Sequence, residues 1–216
     1  MSRKSNLMSL LAMILAAMLS VSITSCSSSD DDNDSSFKSS DLIGTWRNAI
    51  KKSGIRTFNA DGTIEGSDTY SNWKYSDGKL YMTRHNNGRI ETWLVEYKDN
   101  LLYLTLPDGA ATEREVLEKI NLKNTLHLTR EYFVGKWNEG SSTVWEFLAD
   151  GRCTYVRSDQ NETRNGNWEF DQETQTLKAT TTYYTPKTGM TNHEWKIIYA
   201  TTDDFTGLSC GMIRIK

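Results

Sequence analysis

The 216-residue sequence has little proline and cysteine, and it lacks the common catalytic motifs. Two prolines argue against a linker-rich array. A mean hydropathy of −0.60 excludes a polytopic membrane protein. The chain has no P-loop, G-x-S-x-G, G-x-G-x-x-G or H-E-x-x-H motif. We therefore expect a soluble folded region without enzymatic activity, cofactor or metal site.

Basic residues are outnumbered by acidic ones. The chain has 25 Lys and Arg against 28 Asp and Glu. Without Arg3 and Lys4, which lie in the export signal described below, 23 basic residues remain and the formal charge is −5. This balance argues against nucleic-acid binding. Aromatic residues are plentiful, with 7 Trp, 10 Tyr and 6 Phe, which favours a strand-rich fold with an aromatic core.

The N-terminus has the three parts of a bacterial export signal. Arg3 and Lys4 precede an apolar run over 7–19, which is too short to span a bilayer. The run ends at Ile23-Thr24-Ser25-Cys26, which resembles the lipobox of bacterial lipoproteins. We expect residues 1–25 to be removed and Cys26 to carry the lipid that holds the protein on a membrane. The alternative is an ordinary signal peptide with a chance cysteine.

Residues 26–39 form an acidic tether rich in serine and aspartate. The stretch 27–36 has no apolar side chain with which to offset the entropy of ordering. Its acidic run resembles the surface-export signal of some Gram-negative lipoproteins. We therefore expect an outer-membrane lipoprotein exposed on the cell surface, with the periplasmic face as the alternative.

The rest of the chain contains an internal repeat. Matching landmarks recur in the same order at offsets between 89 and 102 residues, as expected for a duplicated unit with altered loops. The repeat predicts two units, 40–128 and 129–216. The landmarks are Gly44-Thr45-Trp46 with Gly135-Lys136-Trp137, Phe58–Gly62 with Phe147–Gly151, Asn72–Tyr75 with Asn167–Phe170, Leu80 with Leu177, and Trp93–Tyr97 with Trp195–Tyr199.

Both units have the pattern of short antiparallel strands. Apolar residues recur at every second position, the period that places them on one face of a sheet. The only helical turns expected are at Ser40–Ile43 and Thr129–Val134. The pattern predicts an all-β fold of two tandem up-and-down meanders or barrels. The turn signals include Asp61-Gly62, Asp77-Gly78, Asn87-Gly88, Asp108-Gly109, Asp150-Gly151 and Asn165-Gly166.

These motifs together resemble the bacterial lipocalin-like domain of exported lipoproteins. The resemblance covers nearly all of 40–216, in two copies, and implies calycin-like barrels without enzymatic chemistry. It also implies that Arg214 stacks on Trp137, while the counterpart in the first unit is not evident. Strands of about 5–8 residues would make small barrels that their own side chains fill.

Six tryptophans form three repeat-related pairs, which we interpret as core residues, with sugar stacking as the alternative. A seventh, Trp145, aligns with Arg56 and marks a difference between the units. The pairs are Trp46 with Trp137, Trp73 with Trp168, and Trp93 with Trp195.

The histidines and the remaining cysteines indicate no metal site. His85, His127 and His193 lack the spacing of zinc ligands, so we expect all three on the surface. Cys153 and Cys210 either form a disulfide or fill small core positions, and the sequence leaves both possibilities open.

The function expected from these observations is non-enzymatic binding. Aromatic and basic residues in or near loops are the candidate contacts: Tyr70, Arg89, Tyr183 and Tyr184. The ligand is left open as a small hydrophobic molecule, a glycan captured by exposed aromatics, or a protein partner bound at a barrel rim.

Overall fold

The computed structural model describes residues 37–107, 114–183, 189–208 and 210–216. The expectations for Cys26, the signal and most of the tether lie outside these residues. The first repeat forms an antiparallel sheet of eight strands in the order β3-β2-β1-β8-β7-β6-β5-β4. The edge strands β3 and β4 meet at one bridge between Thr63 and Asn72. The strands are β1 Gly44–Asn48, β2 Arg56–Phe58, β3 Ile64–Glu65, β4 Tyr70–Ser76, β5 Lys79–Arg84, β6 Ile90–Lys98, β7 Leu101–Thr105 and β8 Arg114–Ile120.

The second repeat forms a closed antiparallel barrel of eight strands. Its last strand pairs with its first through Ile213 opposite Asn138 and Arg214 opposite Trp137. The expected all-β fold of two tandem eight-stranded units is confirmed. We call them the N-terminal and C-terminal barrels. The second set of strands is β9 Gly135–Glu139, β10 Thr143–Phe147, β11 Arg152–Arg157, β12 Glu162–Asp171, β13 Thr176–Tyr183, β14 Gly189–Ala200, β15 Asp204–Gly207 and β16 Gly211–Arg214.

A short helix precedes the first strand of each barrel, as expected. These helices are α1 (Ser39–Leu42) and α2 (Arg130–Phe133). The indole Nε1 of Trp46 donates to the Leu42 carbonyl oxygen over 2.7 Å. Trp137 Nε1 donates in the same way to Phe133, over 2.6 Å. In the described part of the chain, no helix is long and apolar enough to cross a membrane.

A cation covers each of these indoles. Arg214 Cζ lies 4.3 Å from the centre of the Trp137 ring, as the resemblance implied. The missing counterpart in the N-terminal barrel is Lys119, whose Nζ lies 5.3 Å from the Trp46 ring and donates to the Asp41 carbonyl. The glycine of each G-x-W motif has a positive φ that side-chain-bearing residues rarely adopt, and it lies beside the cation. Gly44 has φ +129°, and a Cβ there would lie 2.7 Å from Lys119 Cε.

The F-x-A-D-G turn is also duplicated, bond for bond. The amide of Trp73 donates to the Gly62 carbonyl over 2.7 Å, and Trp168 donates to Gly151 over the same distance. The prediction of a turn at Asn165-Gly166 was wrong, because β12 continues through it. Gly166 instead allows a close backbone approach, since a Cβ there would lie 1.9 Å from the carbonyl oxygen of Thr180.

Each barrel has its own aromatic core. The six repeat-related tryptophans are at most 9% exposed, and Trp145 is fully buried. Strand lengths range from 2 to 12 residues, wider than the expected 5–8, because β12 to β14 are long and β2 and β3 are short. Cys153 and Cys210 are both free, so the structure has the second of the two arrangements considered for them.

The two barrels belong to one compact unit, Phe37–Lys216, and a buried arginine joins them. Arg47 on β1 is 2% exposed. Its Nη1 donates to Asp204 over 2.7 Å and to Thr206 over 2.8 Å, both on β15, while its Nε donates to Glu118 over 2.6 Å. The guanidinium also lies 4.7 Å from the centre of the Tyr199 ring.

We predict that Trp46→Ala and Trp137→Ala each lower the free energy of unfolding of their own barrel by about 3–5 kcal/mol. The substitution removes a buried indole and its hydrogen bond from a small core. Chemical denaturation checks this, with Trp46→Phe as a variant that should lose less because it keeps a ring. An alanine variant as stable as the parent would contradict it.

We predict that Arg47→Met destabilises the protein by about 3–5 kcal/mol, because Asp204 would remain buried without its cation. The matched control is Arg152→Met, which removes an exposed pair with Asp150 and should cost less than about 1 kcal/mol. Thermal unfolding of both variants measures the difference. Equal losses would mean that the buried pair does not join the barrels.

Candidate functional site

The open end of the N-terminal barrel holds the candidate site. α1 places Leu42 in the core at the end where β1 begins. The register places Tyr70 opposite Arg84 at the other end. There a cavity of about 290 Å³ opens between β4, β5, β6 and β8, lined by Tyr70, Arg84, Glu91, Trp93, Arg114 and Glu115. We call this cavity the N-terminal mouth.

Glu91 is held ionised on the wall of the mouth. It accepts hydrogen bonds from the Tyr70 hydroxyl over 2.5 Å and from Arg84 Nε over 2.6 Å. Burial opposes ionisation, but these two bonds outweigh it and the pKa of Glu91 lies below its ordinary value. Burial and the neighbouring carboxylate raise the pKa of Tyr70. The tyrosine therefore stays a neutral donor and the glutamate a charged acceptor.

A second ion pair in the same barrel leaves hydrogen-bonding capacity unused. Arg56 Nη2 lies 2.9 Å from Glu115 Oε2. The contact does not have the geometry of a hydrogen bond, because Glu115 Oε2 is buried without a hydrogen-bond partner in the protein. Arg56 Nη1 is also buried and has no partner. Trp93 Nε1 also has no hydrogen-bond partner, and Trp93 is only 6% exposed. Buried polar groups almost always have partners, in the protein or in ordered water, so these three atoms are exceptions among the described residues.

The C-terminal barrel has different side chains at the equivalent positions. Trp137 pairs with Trp145 where Trp46 pairs with Arg56. By the same register His193 replaces Glu91, because Ala179 pairs with His193 as Met82 does with Glu91. The two remaining replacements follow from strand position: Thr181 for Arg84, and Cys210 for Glu115.

Aromatic rings fill the end of the C-terminal barrel around Trp145 and His193, which we call the C-terminal mouth. The centre of the Trp145 ring lies 4.8 Å from that of His193, 4.9 Å from that of Tyr155 and 5.1 Å from that of Trp195. Trp145 Nε1 is satisfied by Glu139 over 2.8 Å. The expectation of a surface histidine was wrong for His193, which is half-buried because it stacks on Trp195. Burial lowers the pKa of His193, as does the nearby Arg164.

The structure distributes three of the four predicted contact residues over two barrels. Tyr70 lines the N-terminal mouth, but it is 6% exposed, so it is part of the wall. Arg89 is exposed in the turn between β5 and β6. Tyr183 lies at the end of β13, where Arg164 Cζ is 5.3 Å from its ring centre. Tyr184 lies outside the described residues.

The sequence contained a signal for the mouth that we did not use. Inward positions recur at every second residue, and charged residues occupy several of them. Arg56 comes two residues before Phe58, Glu91 two before Trp93, and Arg84 two after Met82. A charge at an inward position of a small barrel is costly unless it is paired, and it therefore marks an unusual place.

A larger concavity of about 650 Å³ lies over strands β12, β13 and β14. Its polar side chains, including Asn167, Thr180 and Asn192, are on the outward face of the sheet and exposed. Those groups are exposed to bulk solvent, whereas the unpartnered atoms of Trp93 and Glu115 in the N-terminal mouth are buried. Among the described residues, no group of three or more His, Cys, Asp or Glu has the geometry to hold a metal ion.

These features define the class of protein as two tandem antiparallel eight-stranded barrels, an architecture consistent with a lipocalin-like fold. A scan of protein-family models, a search of curated proteins and a search of solved structures each found no match to this chain.

We predict that Glu91→Gln destabilises the N-terminal barrel at pH 7 and that the loss shrinks in acid. A carboxylate whose folded pKa is lowered contributes stability above its ordinary pKa of 4.5, and this contribution disappears as the pH falls through the folded value. Melting temperatures of parent and variant should therefore converge below about pH 4.5.

The control for this prediction is Glu96→Gln, on the same strand. Glu96 is 61% exposed and pairs with Arg114 over 3.1 Å. Its loss should be small at every pH because exposed pairs contribute little. A gap between the parent and Glu91→Gln that stays constant down to pH 3 would contradict the ionised state of Glu91.

Proposed function

We propose that this chain is an exported, lipid-anchored, non-enzymatic binding protein of two lipocalin-like domains, in which the N-terminal mouth binds a small ligand. The observation that carries the proposal is the pair of unsatisfied polar atoms on Trp93 and Glu115, two residues that line the cavity. The ligand would supply the hydrogen bonds that the protein does not.

The difference between the two barrels supports this assignment. Both barrels have the same first-strand tryptophan and the same hairpin, and a cation covers the tryptophan in each. The fold therefore does not require the charges of Arg56 and Glu91, whose equivalents in the C-terminal barrel are Trp145 and His193. The charged groups of the N-terminal barrel are not needed to close a barrel of this size, and binding gives them a role.

The chemistry of the mouth favours binding over catalysis. Glu91 is fixed by two strong hydrogen bonds and its pKa is lowered, whereas a general base works best with a pKa near the operating pH. The pKa of Tyr70 is raised, which makes it a poor nucleophile or base. These groups are suited to holding a ligand in one orientation.

The export signal supports the location in the proposal. We predict that Cys26 is the acylated first residue of the mature protein in a Gram-negative host. Cys26→Ala should yield an unlipidated chain that leaves the membrane fraction, because one multi-chain lipid supplies the anchor. Mass spectrometry of the N-terminal peptide checks this. An unmodified Cys26, or an N-terminus elsewhere, would contradict it.

Filling the mouth tests the proposed function. The experiment uses the chain from residue 26 with Cys26→Ala and a mixed library of polar and apolar small molecules. Leu106 also lines the cavity, so Leu106→Trp should occupy it without removing a polar group. Leu94→Trp is the matched control, because Leu94 is exposed on β6.

The proposal expects compounds that raise the melting temperature of the parent and of Leu94→Trp but not of Leu106→Trp. It fails if no compound binds, or if binding survives equally in both variants. Turnover of a bound compound would argue for an enzyme instead.

A second candidate, binding of a protein partner, has one observation in its favour. A groove of about 270 Å³ lies between the barrels and includes Ile55, Ile198 and Leu208. Leu208 is 70% exposed, which is unusual for a large apolar side chain beside other apolar groups. Leu208→Ser should abolish capture of such a partner while leaving small-ligand binding at the N-terminal mouth intact.

A further inference from the structure

The charges of the N-terminal mouth are balanced within the protein. Arg84 is paired with Glu91 over 2.6 Å, and Arg56 with Glu115 over 2.9 Å. Arg114, the outermost cation, is paired with a glutamate on β6 over 3.1 Å. An ionic ligand would therefore find no unpaired opposite charge, and it would be repelled by one member of each pair.

The hydrogen bonding of the mouth is not balanced. One donor of the mouth, Trp93 Nε1, has no acceptor. One acceptor, Glu115 Oε2, has no aligned donor. A ligand that fits must accept at the first position and donate at the second. A purely apolar ligand would leave both groups desolvated and unpaired, which costs more than its contacts return.

A neutral ligand with neighbouring hydroxyl groups meets both conditions. Each hydroxyl can donate and accept, and it carries no charge. The cavity of about 290 Å³ is at the lower limit of small-molecule sites, which restricts the ligand to about one ring. The wall also offers apolar surface from Trp93 and Leu106 for the carbon skeleton.

We propose that the N-terminal mouth binds a neutral polyhydroxylated molecule of about one sugar ring, with one hydroxyl oxygen accepting from Trp93 and a second hydroxyl donating to Glu115. This inference rests on the proposed function, and it names the ligand class for the same site. It excludes fatty acids, free carboxylates and cations as ligands of the N-terminal mouth.

The test follows the indole N–H signal of Trp93 by NMR in the Cys26→Ala chain from residue 26. Trp93→Phe identifies the signal, and the six other indole signals report whether that variant folds. The probes are glucose, galactose, N-acetylglucosamine and inositol, with glycine, acetate, methylammonium and laurate as ligands of other chemistry. We expect a saturable shift of the Trp93 signal with at least one neutral polyol and none with the four comparison probes.

Two variants separate hydrogen bonding from charge. Trp93→Phe removes one donor and should weaken polyol binding about tenfold, followed through the backbone amides of β6. Trp195→Phe, at the equivalent position of the C-terminal barrel, should leave binding unchanged. Glu96→Gln removes the exposed charge that pairs with Arg114, so it should change polyol affinity less than about threefold.

Each outcome decides between the two proposals. Binding of glycine, methylammonium or laurate at Trp93, with no polyol binding, overturns the ligand class and leaves the proposed function standing. The same holds if Glu96→Gln abolishes binding, since charge would then carry recognition. If no probe shifts Trp93 and the mixed library also gives no ligand at the N-terminal mouth, the proposed function itself fails.

Discussion

The hydrogen bond from the first-strand indole to the last carbonyl of the preceding helix fixes each barrel. Trp46 and Trp137 each bring together a helix end, the first strand and the core with one buried side chain. Lys119 and Arg214 then cover the indole from the last strand, so the same tryptophan joins the beginning and the end of the meander. The indole bond thereby ties the helix and both ends of the meander to the aromatic core of each barrel.

The duplication separates what the fold requires from what is particular to each barrel. The indole hydrogen bonds and the backbone hydrogen bonds of the F-x-A-D-G hairpins recur at nearly the same distances. A cation also covers the first-strand indole in both barrels. The open ends do not recur. One contains paired charges with unsatisfied polar atoms, and the other contains a stack around Trp145 and His193. Since both units share the same indole bonds and hairpins, we assign the difference at the open ends to function.

The sequence predicted the repeat, the strands and the two short helices, because period-two patterns and turn residues are local signals. It did not predict Lys119 as the counterpart of Arg214. The two residues lie in different local sequences, and their equivalence becomes visible only once the strand register is known. Gly166 was misread because a close backbone approach and a turn favour the same residue. The N-terminal mouth was overlooked because pairing between distant charges, such as Arg56 and Glu115, depends on which strands become neighbours.

The central claim is that the two barrels share a frame but that, in the described part of the chain, the buried polar groups without a partner lie in the N-terminal barrel. Magnetisation transfer from water to the tryptophan indole N–H groups in the ligand-free protein tests it most directly. The account predicts a direct water contact at Trp93 Nε1 and none at Trp46, Trp137 or Trp145, whose indoles are bonded to the protein. A dry Trp93 indole, or equal water contact at Trp145, would contradict the account.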